Sequence, residues 1–210
     1  MTIANPVRGR ANAAFFSLVD GYVHHVIGDR KAALFADLPQ DVVELGPGTG
    51  TNLRYYRPGT RLVAVEPNPH MHSVLTGASA RHGIRLDLRA VGAEATGLPT
   101  GSVDAVVSTL VLCTVPDPAA ALAEVRRILR PGGKLLLVEH VAAPRRTGLA
   151  ALQRVLRRPW RWAFEGCDLC RSTAELEVAD AGFSEVHLER YRPRSVFLPV
   201  NDQVAGTATA

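Results

Sequence analysis

Methionine, tryptophan and cysteine are scarce in this 210-residue sequence, at two, two and three residues. Lysine is scarcer than the charge balance suggests: only Lys31 and Lys134 occur, so arginine carries almost all of the positive charge behind the net +4. No basic stretch alternates with stacking aromatics, which make up 6% of the chain, and this argues against a nucleic-acid partner. Three cysteines (Cys113, Cys167, Cys170) make no disulfide framework, so a reducing, cytoplasmic setting is expected. No apolar run reaches the ~18–20 residues of a bilayer span. The opening residues, MTIANPVRGRANAAFF, contain no apolar stretch of signal-peptide length, so neither secretion nor a spanning helix is expected.

What is present is the material of one globular unit. With 47% hydrophobic and 21% charged residues, the composition is that of a chain with a buried core. Residues 1–40 read as a helical N-terminal cap, and 41–210 as an α/β core, together one domain. Short apolar runs at 41–46, 61–67, 84–91, 102–112 and 134–141 predict five strands. Between them, Met71, Val74, Leu75 and Ala78, then Leu122, Val125, Ile128 and Leu129, recur at helical spacing. The second of these helices is expected to stop at Pro131-Gly132-Gly133. Ser172 and Glu175 form a candidate capping box for a helix ended by Gly182. FSEVHLERY and QVAGTAT then predict a closing, hairpin-like pair of strands. The alternation implies a doubly wound, Rossmann-like, mostly parallel seven-stranded sheet with helices on both faces. Ligands of such sheets bind where the first and fourth strands end.

The segment Glu44-Leu45-Gly46-Pro47-Gly48-Thr49-Gly50 falls at that point. Glycines there let the backbone turn tightly and approach a ligand. Glu66 ends the second strand twenty residues after Gly46, where an acid can accept from both hydroxyls of a ribose. The spacing is E-x-G-x-G-x-G rather than the dinucleotide G-x-G-x-x-G, so no pyrophosphate cradle is required. Glu44 suits a cationic amine. Together these predict a nucleoside cofactor with an amino-acid tail.

E-L-G-P-G-T-G, V-E-P-N, A-E-A-T-G-L-P and L-R-P-G-G resemble the successive signatures of class I S-adenosylmethionine-dependent methyltransferases, from about residue 41 to the end. S-V-D-A-V-V-S-T-L-V-L-C-T-V (102–115), L-R-P-G-G-K-L-L-L-V-E-H-V (129–141) and F-E-G-C-D-L-C-R (164–171) are similar to the alkyl thiol S-methyltransferases of animals. Those proteins carry an N-terminal membrane-anchoring segment; none is expected here, and their location is not carried over. The ubiquinone and menaquinone C-methyltransferases share the broader signatures without E-G-C-D.

The resemblance implies that S-adenosyl-L-methionine is the cofactor. It implies that Gly46, Pro47, Gly48 and Gly50 pack against its methionyl part and that Glu66 holds the ribose. Pro67 and Asn68 would shape the adenine edge, and Ala93 and Glu94 would meet the adenine. An acid commonly precedes that alanine; Gly92 stands there, which leaves backbone to read the adenine amine. Thr109, Leu110 and Val111 would lie by the transferred methyl, and Tyr22, from the cap, near the bound cofactor. The function expected is S-methylation of a small apolar thiol, with C- or O-methylation of a quinone-like or phenolic molecule as the alternative. A cofactor-binding regulatory module is a third reading. A nucleic-acid methyltransferase is disfavoured, because no N/D-P-P-Y/F motif follows the fourth strand.

A thiol needs little help to react, since a pKa of ~8.5 leaves some thiolate near neutrality. Two catalytic candidates stand out. His140, at the end of the fifth strand, can take a thiol proton or simply bond backbone. Asp168, with Arg171 as an orienting partner, is either a base or half of a structural ion pair. No metal site is expected: Cys167-x-x-Cys170 lacks a second Cys/His cluster at suitable spacing. In RRTGLAALQRVLRRPWRW, Leu149, Leu152, Val155 and Leu156 mark one helical face and Arg154, Arg157 and Arg158 another, with Pro159 disfavouring continuation. That stretch reads as a core cover, as a contact with an anionic membrane surface beside Trp160 and Trp162, or as a substrate cover. The sequence does not specify an oligomeric state.

Overall fold

The computed structural model describes residues 6–172 and 178–210. The chain runs α1 (Pro6–Leu34), β1 (Asp41–Leu45), β2 (Arg61–Val65), α2 (Pro69–His82), β3 (Arg85–Arg89), β4 (Val103–Thr109), α3 (Pro118–Ile128), β5 (Leu129–His140), α4 (Gly148–Ala163), β6 (Glu185–Tyr191) and β7 (Gln203–Thr209). The strands form one sheet in the order β3-β2-β1-β4-β5-β7-β6. The first five are parallel, while β7 lies antiparallel between β5 and β6 as the C-terminal hairpin pair.

Alternate strand residues point to opposite faces, and both faces are covered. Val43, Leu45, Val106, Leu135 and Leu137 pack with Leu122, Val125 and Ile128 of α3. Val42, Ala105, Val107 and Leu136 pack on the other side with Leu75 and Ala78 of α2 and with Phe35 and Leu38 beyond α1. The caps are local. The Asn68 side chain accepts the His70 amide at 2.9 Å to start α2, and Asp117 accepts that of Ala120 at 3.0 Å to start α3. Left-handed Gly83 ends α2.

Three expectations are corrected. α3 stops at Ile128 rather than at Pro131-Gly132-Gly133, because Leu129 already pairs with Val103 and the Pro-Gly-Gly run lies inside β5. Pro131 disfavours helical backbone at the residue before it, so the turn out of the helix comes early. The fourth strand ends at Thr109, and the chain bends at Leu110 into a turn at Leu112–Thr114. α4 continues through Pro159, which is exposed, so the proline costs one backbone bond at the surface without breaking the helix. Only Gln153 of α4 is fully buried, and Val155 is 76% exposed, outside the face expected for it. The candidate capping box lies outside the described residues through Glu175. Among the described residues no helix is long and apolar enough to cross a membrane.

Candidate functional site

At the carboxyl end of β1 the backbone turns through Gly46, Gly48 and Gly50, all at positive φ. The Gly46 amide still donates to Val65 O at 2.9 Å, so β1 and β2 stay paired up to the turn. A Cβ at Gly46 would stand 2.7 Å from Val111 Cγ2, whereas one at Gly48 would meet nothing within 4 Å beyond its two chain neighbours among the described residues. The chain is bare where it faces the cavity and tight where it faces the core. Glu66, beyond β2, closes the loop. Its Oε2 accepts the Gly48 amide at 2.9 Å and its Oε1 accepts the Asn68 amide at 2.8 Å. Burial raises the Glu66 carboxyl above its usual range despite those two amides.

Glu44 is buried behind the loop in a side-chain network. Tyr56 Oη donates to its Oε2 at 2.8 Å and Asn52 Nδ2 to its Oε1 at 2.7 Å. Asn52 Oδ1 in turn accepts from Lys31 Nζ of α1 at 2.9 Å. Burial pushes the Glu44 carboxyl up to about 7, against Tyr56, Asn52 and the Lys31 charge. Burial likewise lowers Lys31 to about 8, opposed by Glu44 and Asp20. A buried acid so poised is receptive to a cation arriving from the cavity.

On the other side of β1, the turn after β4 is fastened by Glu139. Its Oε1 accepts from Ser108 Oγ at 2.8 Å and from the Val111 and Leu112 amides at 2.9 and 3.1 Å. Leu110 sits at φ +57°, a strained position for a side chain and one that this clamp sustains. The neighbouring His140 places Nε2 3.0 Å from Cys167 Sγ; its Nδ1 is buried with no hydrogen-bond partner among the described residues. Trp160 Nε1 donates to the same sulfur at 3.3 Å, and Cys113 Sγ lies 3.7 Å from it. The contact with Cys113, together with His140 and Trp160, overcomes burial and holds the Cys167 thiol down to about 5. The same contact and burial push the Cys113 thiol well up. Burial alone would lower His140, but Cys167, Glu139 and Asp168 bring it above its usual value.

These segments enclose one cavity. Of the residues singled out from sequence, Tyr22, Glu44, Gly46, Pro47, Gly48, Glu66, Pro67, Ala93, Glu94, Thr109, Leu110, Val111 and His140 line it. Gly50, Asn68 and Asp168 are not in its wall. A Cβ on Gly50 would meet Leu53 Cδ1 at 2.8 Å, so that glycine serves packing. Asn68 is turned away to cap α2 and to donate to Gly9 O and Glu165 Oε1. Asp168 is the ion-pair alternative realised. Arg157, not Arg171, grips its carboxylate from Nε and Nη2 at 2.9 and 2.7 Å, while Arg171 donates to Leu112 O and Val115 O. Although burial opposes it, Arg157 and the Cys170 amide bring the Asp168 carboxyl below its usual range.

Sequence reasoning missed Lys31, Asn52, Cys113, Cys167 and the aromatic wall. Phe15 of α1 stacks edge-on against Phe164 and Phe197 with centroids 5.5 and 5.9 Å apart, and Trp160 lies 4.3 Å from Phe164. All four rings line the cavity. Trp160 and Phe164 stand four residues apart at the end of α4, but Phe15 and Phe197 join them only by tertiary contact, which no local spacing announces.

The family model described as a methyltransferase domain matches residues 43–137. The chain is 42% identical over 170 residues to thiol S-methyltransferase TMT1B of Homo sapiens, covering 80% of this chain and 69% of that protein. It is 36% identical over 174 residues to thiol S-methyltransferase TMT1A of Homo sapiens, covering 78% and 71%. Among solved structures, the putative methyltransferase in complex with the Trm112 activator of Haloferax volcanii shares the fold. The TM-score is 0.71 at 18% identity over 96% of this chain and 97% of that one. With the glycine turn, its acid and this sheet order already in place, the identity and coverage settle the family: the chain belongs to the class I S-adenosylmethionine-dependent methyltransferases, in the group that includes the thiol S-methyltransferases.

Proposed function

We propose that this methyltransferase S-methylates a small, apolar thiol, and that the cavity holds S-adenosylmethionine on one side of β1 and the acceptor on the other. The residues present fit the cofactor. Open space stands over Gly48, and buried Glu44 is poised to ionise beside an ammonium group. Glu66, Pro67, Ala93 and Glu94 follow β2 and β3, one neighbouring side of β1 in the sheet, and we assign them to the ribose and adenine. Gly46, Pro47 and Gly48 flank the methionyl part. Thr109, Leu110 and Val111, after β4, adjoin the methyl. Asn68 and Gly50 shape this end from behind.

When bound, S-adenosylmethionine supplies an already activated sulfonium methyl, so the protein's task is to hold the acceptor in line and keep water out. α1 contributes Phe15, Val19, Tyr22, Val26 and Lys31 to the cavity, and so acts as its cover. The chain is on this reading one catalytic unit, with residues 1–40 as a cap on 41–210.

One observation carries the acceptor class. The wall on the β4–β5 side is built from Phe15, Trp160, Phe164 and Phe197 around His140, Cys113 and Cys167. Aromatic rings favour an apolar body, and the imidazole–thiol group is where a sulfur acceptor finds chemistry of its own kind. The relatives named thiol S-methyltransferases support the same choice. We assign His140 to the acceptor end and Asp168 to holding the Cys167 segment through Arg157. A cytoplasmic setting, where thiols stay reduced, is consistent with the three free cysteines. Incubation of the full chain with an alkyl thiol and methyl-labelled S-adenosylmethionine tests the reading. The expected products are a labelled thioether and an equal amount of S-adenosylhomocysteine; cofactor binding without any thioether contradicts it.

A further inference from the structure

Cys113, His140 and Cys167 reach the cavity from three separate segments: the turn after β4, the end of β5 and the stretch following α4. Their ligating atoms all lie within 4.8 Å of one another, and none of the three residues is more than 8% exposed. We propose that these three side chains bind a thiophilic divalent cation of the zinc class, whose fourth position opens to the acceptor sulfur. Only the fourth ligand rests on the thiol reading above; the three-ligand site stands without it.

The spacing is that of a coordination sphere. Two thiolates on a tetrahedral zinc, at Zn–S of about 2.3 Å, lie about 3.8 Å apart. The sulfurs of Cys113 and Cys167 are 3.7 Å apart. An imidazole nitrogen in the same sphere stands about 3.5 Å from each sulfur. His140 Nε2 is 3.0 Å from Cys167 Sγ, so the ring has to retreat by only about half an ångström. Two sulfurs and one imidazole are a donor set that selects zinc over the hard cations. Among the described residues three protein ligands stand in the cluster and leave one position for exchange, and here that position faces a cavity rather than the core.

The ligands are also held. The Asp168 amide donates to Cys113 O at 2.9 Å and so ties the two cysteine segments together. Arg157 anchors Asp168, Glu139 clamps the turn that carries Cys113, and the Trp160 indole N–H orients the Cys167 sulfur. Such outer contacts keep metal ligands in place. Cys170 takes no part in the cluster. An acceptor thiol entering the fourth position exchanges its S–H bond for a sulfur–metal bond. Its proton passes to water, and no oxidation state changes. The sulfur is thereby presented as thiolate at neutral pH.

The test uses the reduced full chain, stripped with a chelator and titrated with Zn²⁺ and, in parallel, with Co²⁺ as a spectroscopic probe. One cation per chain is expected, with thiolate-to-cobalt charge transfer and the intense visible bands of tetrahedral cobalt. Adding an alkyl thiol shifts those bands as sulfur enters. Cys113→Ser and Cys167→Ser lose the signal, His140→Asn weakens binding by about tenfold or more, and Cys170→Ser leaves it unchanged. The wild-type spectra keep the test decisive even if a variant folds poorly. Absence of stoichiometric binding, a weak octahedral cobalt spectrum, or bands indifferent to thiol overturns the proposal. Thioether formation at full rate by the stripped protein also overturns it while leaving the methyltransferase reading intact. A cation bound with tetrahedral cobalt bands that thiol shifts, in a protein that forms no thioether, supports the site and removes the thiol function instead.

Discussion

Gly48 and Glu66 are joined by a single hydrogen bond of 2.9 Å from backbone amide to carboxylate, across eighteen residues. That bond fixes the tip of the glycine turn against the end of β2 while leaving the carboxylate in the cavity wall. One side chain thus shapes the loop and, in the role proposed for it, would offer lone pairs to a ribose.

Replacing Glu66 by alanine removes both services. Affinity for S-adenosylhomocysteine is expected to fall by about 1.5–3 kcal/mol, the scale of charged hydrogen bonds. The freed Gly48 and Asn68 amides should also loosen the turn. Calorimetric titration measures the first effect and amide exchange at residues 46–50 the second; unchanged affinity contradicts the ribose assignment.

With the cofactor's ammonium group in the place proposed for it, Glu44 is expected to make cofactor binding pH-dependent. Its carboxyl, pushed up to about 7 by burial, is about half protonated in the free protein at neutral pH. An ammonium group beside it favours the ionised form, so binding releases a proton and tightens as pH rises through 7. In the free protein the sign for stability is opposite. A carboxyl with a raised folded pKa binds more protons folded than unfolded, so its contribution declines as pH climbs from the ordinary carboxylate range through about 7. Titration with S-adenosylhomocysteine in buffers of different ionisation enthalpy should show release of about half a proton at pH 7. Glu44→Gln should abolish that increment. Equal release by the variant refutes the assignment.

Gly46 tests the tight side of the turn. At φ +53°, with Val111 Cγ2 2.7 Å from any added Cβ, alanine there meets both a left-handed backbone cost and an overlap. The backbone term alone is about 1–2 kcal/mol, which for a chain of this size lowers Tm by about 2–8 °C. Gly48→Ala shares the φ cost without the overlap, so Gly46→Ala should have the lower Tm of the two.

The geometry of the loop was legible because it is local: E-x-G-x-G-x-G and an acid twenty residues on are both sequence-close and geometrically demanding. The strands and the mostly parallel sheet with its closing antiparallel pair followed from apolar runs alternating with helical spacing. Two breakers misled. Pro131-Gly132-Gly133 marks the end of α3 only loosely, since burial of Leu129 in the sheet decides where the helix lets go. Pro159 stays inside α4 because its missing bond falls on an exposed face. Cys167 drew attention as a partner of Cys170, three residues away, whereas its contacts are with Cys113 and His140, 54 and 27 residues away. Proximity of that kind is a product of topology and has no spacing rule. Asp168 was equally open, and only the placement of Arg157 one helix earlier decided for the ion pair.

α1 should respond to cofactor. It supplies cavity lining along its length and is held over the cavity by contacts that include Asn12 Nδ2 to Ala163 O at 2.9 Å and Val196 N to Tyr22 Oη at 2.7 Å. Hydrogen exchange is expected to slow across residues 12–34 when S-adenosylhomocysteine binds, as a cover closing over a ligand does. Identical exchange in both states would mark α1 as permanently docked.

Competition between acceptors examines the central claim directly. The reduced enzyme is given methyl-labelled S-adenosylmethionine with an equimolar mixture of an alkyl thiol, a phenol and a quinol of similar size, and labelled products are separated by mass. The account predicts that label accumulates in the thioether, with a rate that rises with pH toward the point at which the bound thiol is fully ionised. Label in methylated phenol or quinol, with none in thioether, contradicts the sulfur acceptor and returns the enzyme to the O- or C-methyltransferases.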